Sequence, residues 1–289
     1  MKYKYKLKPY ILLTPVMIVI LGIFVTGIVM GFLQSIGYFP IVGLKDFTLK
    51  YYKEVMMSKD FLSSLIFSIY ISFISSALSV ILGVALAYLI YRKKEKKGVE
   101  DIVFKVPIIV PHIVAVLLVY NLLSQSGIIS RIFYSLGFVS SQNHFPSLLF
   151  EKNGIGIIIT YLWKEIPFIG MVVYSVLNNM NNKFSDVAKT LGANRRQVFF
   201  KVTLPLIMPS IVTSFILVFA FSFGAFEVPF LLGPTNPKAL PVKAYIEYSN
   251  PDLKHRPYTM VINMILTFVS LILVWGYNKA FKVISKYNR

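Results

Sequence analysis

Cysteine is absent from the 289 residues. Disulfides, thiolate metal sites and thiol catalysis are therefore excluded. Histidine is almost as scarce: His112, His144 and His255 stand in separate segments. None has ligand spacing to another, which argues against a zinc or haem centre. Charged residues make up 15% of the chain, where a soluble domain carries about a quarter. The shortfall comes from long stretches with no charge at all, the pattern of membrane spans. Acidic residues number 12 against 30 Lys and Arg, for a net charge of +18. In a soluble protein that excess would suggest nucleic acid. Here no basic groove or reader motif accompanies it, and the basic residues sit in short clusters between apolar runs. The G-x-x-x-x-G-K-[ST] phosphate loop is also missing.

What is present in abundance is apolar sequence, 56% of the chain. A helix crossing about 30 Å of hydrocarbon needs about 20 apolar residues. The runs predict six spans, over about Tyr10–Leu33, Phe61–Tyr91, Ile102–Leu123, Gly154–Leu177, Leu206–Phe226 and Pro257–Phe281. The second run is long enough to tilt or extend beyond the bilayer. The third carries Lys105, Pro107 and Pro111 near its start. The uncharged run from Pro9 to Leu44 exceeds a signal-peptide core, so it is expected to be a retained span. Gly127–Gly137 is apolar but short and reads as an interfacial helix. The predicted fold is all-α, one polytopic membrane domain covering 1–289 with a core over about 61–281.

Lys and Arg set the orientation. If the N-terminus is cytoplasmic, the inner segments 1–9, 92–101, 178–204 and 279–289 hold 18 basic residues. The outer segments 34–60, 124–153 and 233–256 hold 10. Both termini are therefore expected in the cytoplasm.

Two stripes of small residues run along the second span, Ser64-Ser68-Ser72-Ser76 and Ser75-Ser79-Gly83-Ala87. Small side chains at four-residue spacing let helices approach closely. Packing is favoured over a polar pore lining, because serine hydroxyls can bond back to their own helix.

The loop between spans four and five, 182–205, holds the most specific pattern. Ser185 or Asp186 is suited to cap a short helix, with Val187, Ala188 and Leu191 as its apolar face. Gly192 permits a turn that larger residues resist. Asn194 can cap a second helix, with Val198, Phe199 and Val202 inward and Arg195 on the polar side. Pro205 marks entry into the next span. Asp186-Val187-Ala188, three residues, Gly192, nine residues, then Val202-Thr203-Leu204-Pro205 resembles the EAA loop of binding-protein-dependent ABC importer permeases. That pattern reads E-A-A, three residues, Gly, nine residues, I-x-L-P. Asp, Val and Val here replace Glu, Ala and Ile.

The resemblance implies a type I importer permease in a prokaryotic cell membrane. It implies a coupling role for Asp186, Val187, Ala188, Gly192, Asn194, Arg195, Leu204 and Pro205. It also implies partners: a cytoplasmic ABC ATPase dimer that binds ATP and Mg, a second permease subunit in a heterodimer or homodimer, an extracytoplasmic solute-binding protein, and membrane lipid. No cofactor or catalytic residue is expected in this chain.

Three charges are pathway candidates. Lys164 and Glu165 lie deep in span four, where ionised groups are costly and face a cavity or partner. A structural role in Trp163-Lys-Glu-Ile-Pro-Phe168 is equally open to them. Glu227 follows span five beside Gly224 and Pro229, and a broken helix with a carboxylate suits a polar or cationic solute. Gly224–Gly233 with Leu240-Pro241-Val242 resembles the spermidine/putrescine branch, while ferric iron, thiamine, sulfate and phosphonate branches share parts of it. His112, after two prolines, reads as a structural histidine. A secondary transporter or channel would need no such loop and usually shows repeated halves, and none are seen. An intramembrane enzyme would need facing nucleophile or metal pairs, which the spacing does not supply.

Overall fold

The computed structural model describes residues 2–92, 105–180 and 183–287. Among them the chain is helical, with a single isolated bridge between Phe39 and Leu44. The main helices are α1 Lys2–Ser35, α2 Lys50–Met57, α3 Lys59–Arg92, α4 Val106–Ile109, α5 His112–Leu123, α6 Ile128–Ser135 and α7 Ile155–Asn179. They continue as α8 Lys183–Thr190, α9 Arg195–Val198, α10 Leu204–Gly224, α11 Glu227–Leu232, α12 Leu240–Tyr248 and α13 Arg256–Tyr287. Six stretches of the described residues are long and apolar enough to cross a membrane: Leu12–Ser35, Lys59–Arg92, His112–Ser135, Ile155–Asn179, Arg195–Gly224 and Leu253–Gly276.

Two of these differ from the runs read in the sequence. The third begins at His112, and residues 102–104 of the expected run lie outside the described residues. Pro111 disfavours helical backbone at Val110, which is extended at φ −64°, ψ 129°. The run breaks there, and the short helix expected over 127–137 forms as α6 and is counted in the same candidate span. The fifth begins earlier than Leu206. Its helical backbone runs from Arg195 to Gly224 through a π turn over Phe199–Thr203. Pro205 has no amide to give Lys201 in a regular helix. The π turn, in which the Leu204 amide donates to the Phe199 carbonyl, lets the chain continue past it. Pro205 is thus in the first turn of α10, as its place at the entry to the span predicts, while the helical run as a whole begins at Arg195.

Packing sorts the chain into two compact units. One comprises the described residues through Leu62 with Lys243–Phe268. In it Tyr258 donates to Glu54 at 2.6 Å, Lys243 pairs with Asp60 and Glu247, and Tyr51 meets Tyr258 edge-on. The other comprises Ser63–Val242 and the chain from Val269 on. Its centre is α7, half of whose span is buried, whereas only 6% of the α1 span is covered. The uncovered apolar length of α1 matches a lipid-facing helix.

The serine stripes of α3 are buried, including Ser64, Ser68, Ser72, Ser75, Ser76 and Ser79. Ser64, Ser72 and Ser76 have no hydrogen-bond partner, so their small volume is what the packing uses. The approach is closest at Gly83. A Cβ there would lie 2.9 Å from Ile169 Cβ and 3.1 Å from the Ile166 carbonyl oxygen. The stripe therefore packs α3 against α7, as small residues do where no hydrophobic effect drives helices together.

Candidate functional site

The loop between α7 and α10 folds as helix, left-handed turn, helix. Asn182 lies outside the described residues, and α8 begins at Lys183. Ser185 and Asp186 are therefore inside its first turn, and neither is its cap. Asp186 pairs with Lys189 at 3.1 Å on the exposed surface, an ion pair worth little by itself. The helix ends as sequence predicts. The Gly192 amide donates to Lys189 and the Ala193 amide to Ala188, which is the Schellman arrangement. It requires the left-handed backbone seen at Gly192, φ +85°. Asn194 then caps α9: its side chain accepts from the Gln197 amide while the Gln197 side chain accepts from the Asn194 amide. The capping box satisfies two backbone donors at once.

The two helices of the loop differ in what they expose. Val198 is buried and Phe199 half-buried, its ring tilted at 54° against Tyr88 with centroids 4.5 Å apart. Phe184, Val187 and Leu191 are 61%, 59% and 83% exposed. Phe184, Val187 and Ala188 share one face of α8 at helical spacing, and Leu191, just past its end, continues it. This is an apolar face on a polar loop that its own chain leaves unburied. Arg195 is exposed beside it, Leu204 is half-buried, and Pro205 is exposed.

The charges of span four separate. Glu165 is buried between three helices. Ser79 of α3 donates to one carboxylate oxygen at 2.9 Å and Ser222 of α10 donates to the other. Lys164 is half-buried and donates to the Val110 carbonyl, which the break before Pro111 leaves out of the helix. Adjacent helical residues point about 100° apart, and this pair uses that divergence.

A second break lies nearby. Ala225 turns extended, φ −71°, ψ 136°, and ends α10. Glu227 opens α11 and is exposed. α11 packs on α5 and α7. His112, at the start of α5, lies tilted at 36° against Phe221 with ring centroids 5.1 Å apart. The break at Val110 thus brings Lys164 to the start of α5, while Glu165 is bonded to α3 and α10. No group of three metal-binding side chains occurs among the described residues. Sequence reasoning missed Ser222 and Tyr161 and favoured packing over a polar lining for Ser79. For Tyr161 the available signal was its four-residue spacing to Glu165.

The family model for binding-protein-dependent transport system inner membrane components matches residues 79–278. The chain belongs to that family. The match takes in the loop, the Glu165 cluster and Glu227. The spermidine/putrescine transport system permease protein PotB of Haemophilus influenzae is 29% identical over 164 residues, 57% of this chain and 55% of that one. The ferric transport system permease protein FbpB of Actinobacillus pleuropneumoniae is 25% identical over 223 residues, 75% of this chain and 31% of that one. This chain thus spans about half or less of the length of these relatives. A chain in the crystal structure of a bacterial ABC transporter involved in the import of the acidic polysaccharide alginate superposes with a TM-score of 0.79. It is 19% identical, with 98% of this chain and 99% of that one covered, a likeness of fold.

Proposed function

We propose that this chain lines the solute pathway of an ATP-driven importer, couples it to a separate ATPase through α8 and α9, and carries polyamines such as spermidine and putrescine. The observation that supports coupling is the uncovered Phe184-Val187-Leu191 face beside a turn that only Gly192 readily adopts. A cleft in an ATPase subunit is the partner that would cover it. ATP and Mg bind that partner, whose dimer closes and moves the loops of a permease pair. The second permease subunit supplies the other half of the pathway, and an extracytoplasmic binding protein delivers solute. The ATPase lies in the cytoplasm, so six spans put both termini there too, in agreement with the excess of basic residues in the inner segments.

For the solute, relatives named for a polyamine, ferric iron and alginate select nothing by themselves. Glu227 favours a cation, since it is exposed at a helix break and Lys164 is already engaged by Val110. Ferric iron is the second reading, on the FbpB likeness. The test is uptake by the reconstituted complex, preceded by pulldown of the tagged chain in gentle detergent. An ATPase should co-purify, and spermidine should be taken up in preference to ferric iron. Glu227→Gln should lower that uptake about tenfold or more, the loss expected for a charge-assisted contact. Unchanged uptake would remove Glu227 from the solute path, and recovery of the chain alone in several detergents would favour a secondary transporter.

A further inference from the structure

Glu165 and Tyr161 occupy one face of α7, four residues apart, and both reach the same residue. The Tyr161 hydroxyl donates to the Ser222 carbonyl at 3.4 Å. The Ser222 hydroxyl donates to Glu165, whose other oxygen is held by Ser79. All four residues are buried. The Ser222 carbonyl is one of the last four of α10, which a helix leaves without an internal donor. Three residues later the chain turns extended at Ala225, and Glu227 follows. Each Glu165 oxygen already accepts a bond from a buried serine, and the side chain itself is buried, so both bonds are internal to the helix packing.

We propose that Glu165 and Tyr161 are positioning residues: they clasp the broken end of span five through Ser222, with Ser79 as the anchor on span two, and so set where Glu227 stands. This rests on the reading of Glu227 as a solute-facing carboxylate only for its purpose, not for its geometry. The clasp explains why a carboxylate sits at membrane depth away from Lys164, and why Ser79, alone in its stripe, bonds to another span through its hydroxyl. The same clasp fixes the side chain and the backbone of one residue, so rotation of α10 about its axis would break both contacts together.

The absence of cysteine provides the test. A single Glu227→Cys change in the full chain, in membranes, is labelled with N-ethylmaleimide and the rate measured. Adding Ser222→Ala or Glu165→Ala should change that rate about tenfold, the effect of losing one charge-assisted hydrogen bond. Tyr161→Phe should change it in the same direction. Adding Glu165→Gln should leave it near the parent value, because the amide keeps an acceptor and offers donors to the second hydroxyl. An Asn178→Cys chain, at the far end of α7, should label at an unchanged rate in every background. Hydrogen exchange over 223–229 gives the same comparison without a label, should Glu165→Ala fail to insert or position 227 fail to react. Parent-like rates in Ser222→Ala would overturn the clasp. Equal changes at both labelled positions would mean general loosening and would also overturn it, as would Glu165→Gln behaving like Glu165→Ala. None of these readings needs the solute, so they stand apart from the uptake test of Glu227→Gln.

Discussion

Replacing Gly192 isolates backbone conformation from packing. Its φ is +85°, and a Cβ built there meets no atom within 4 Å. A side chain therefore encounters no obstacle except the left-handed backbone itself. For an ordinary residue that conformation costs about 1–2 kcal/mol, and more for a β-branched one. An energy of that size shifts a two-state balance about five- to thirty-fold. The turn sets the angle between α8, which carries the open apolar face, and α9, which is rooted in span five. Gly192→Val should therefore let α8 depart from its docking pose, leaving ATP hydrolysis running with less solute moved per ATP. The assay is the ratio of solute imported to ATP hydrolysed by the complex in proteoliposomes. The order expected is Gly, then Asn, Ala and Val, because Asn tolerates the left-handed region best among these substitutes. Gly27→Ala in α1, where a Cβ also meets nothing within 4 Å and φ is not left-handed, should change nothing. A wild-type ratio in Gly192→Val, or Asn and Val equally damaging, would refute the reasoning.

Three further outcomes follow from other contacts. Phe184→Asp with Leu191→Asp should abolish co-purification of an ATPase while leaving the chain's thermal midpoint in detergent unchanged, since neither side chain is buried in its own chain. Gly83→Val should lower that midpoint, because overpacking against Ile169 at 2.9 Å costs about 1–3 kcal/mol; an unchanged midpoint would contradict the close approach of α3 and α7. Asn194→Ala should raise hydrogen exchange at the first amides of α9 by the equivalent of about 1 kcal/mol, and Asn194→Asp should restore protection.

The spans were legible because a lipid-facing helix needs apolar residues on its outer surface and an internal helix needs them for its core. The two kinds read alike, which is why the runs could be counted but not ranked by burial. The loop was legible through a different route, since Gly192 and Asn194 act on the backbone within four residues of themselves. What failed were junctions and distant pairs. Pro111 stood in plain view, yet an apolar run continues across it, and hydropathy does not register the break at Val110. Asp186 fits an N-cap by type, but the helix starts at Lys183, before it. The Glu165 clasp joins residues 86 and 57 positions away, and no local pattern announces such a pair. Lys164 and Glu165 looked equivalent as neighbours in sequence. Only the helical rotation between them sends one to a free carbonyl and the other into the helix bundle.

The loop and the clasp lie at opposite ends of one helical run. Arg195–Gly224 is 30 residues, about 45 Å at 1.5 Å per residue. Its two prolines, Pro205 and Pro209, fall in the first half, and the π turn absorbs the first of them. Beyond Pro209 the helix is uninterrupted to Gly224. A displacement at α9 would therefore reach Ser222 as motion of a rod, provided the rod stays stiff. Leu217 allows that condition to be tested, because its side chain is 54% exposed and its replacement alters little but the backbone. Leu217→Pro removes one helical hydrogen bond and costs about 3 kcal/mol. The ATPase should still co-purify, since Phe184, Val187 and Leu191 are untouched, but solute moved per ATP should fall. Leu217→Ala should behave as the parent. Normal coupling in Leu217→Pro, with the chain correctly inserted, would show that motion reaches Glu227 by another helix, and α7, which touches both α10 and α11, would be the one to break next.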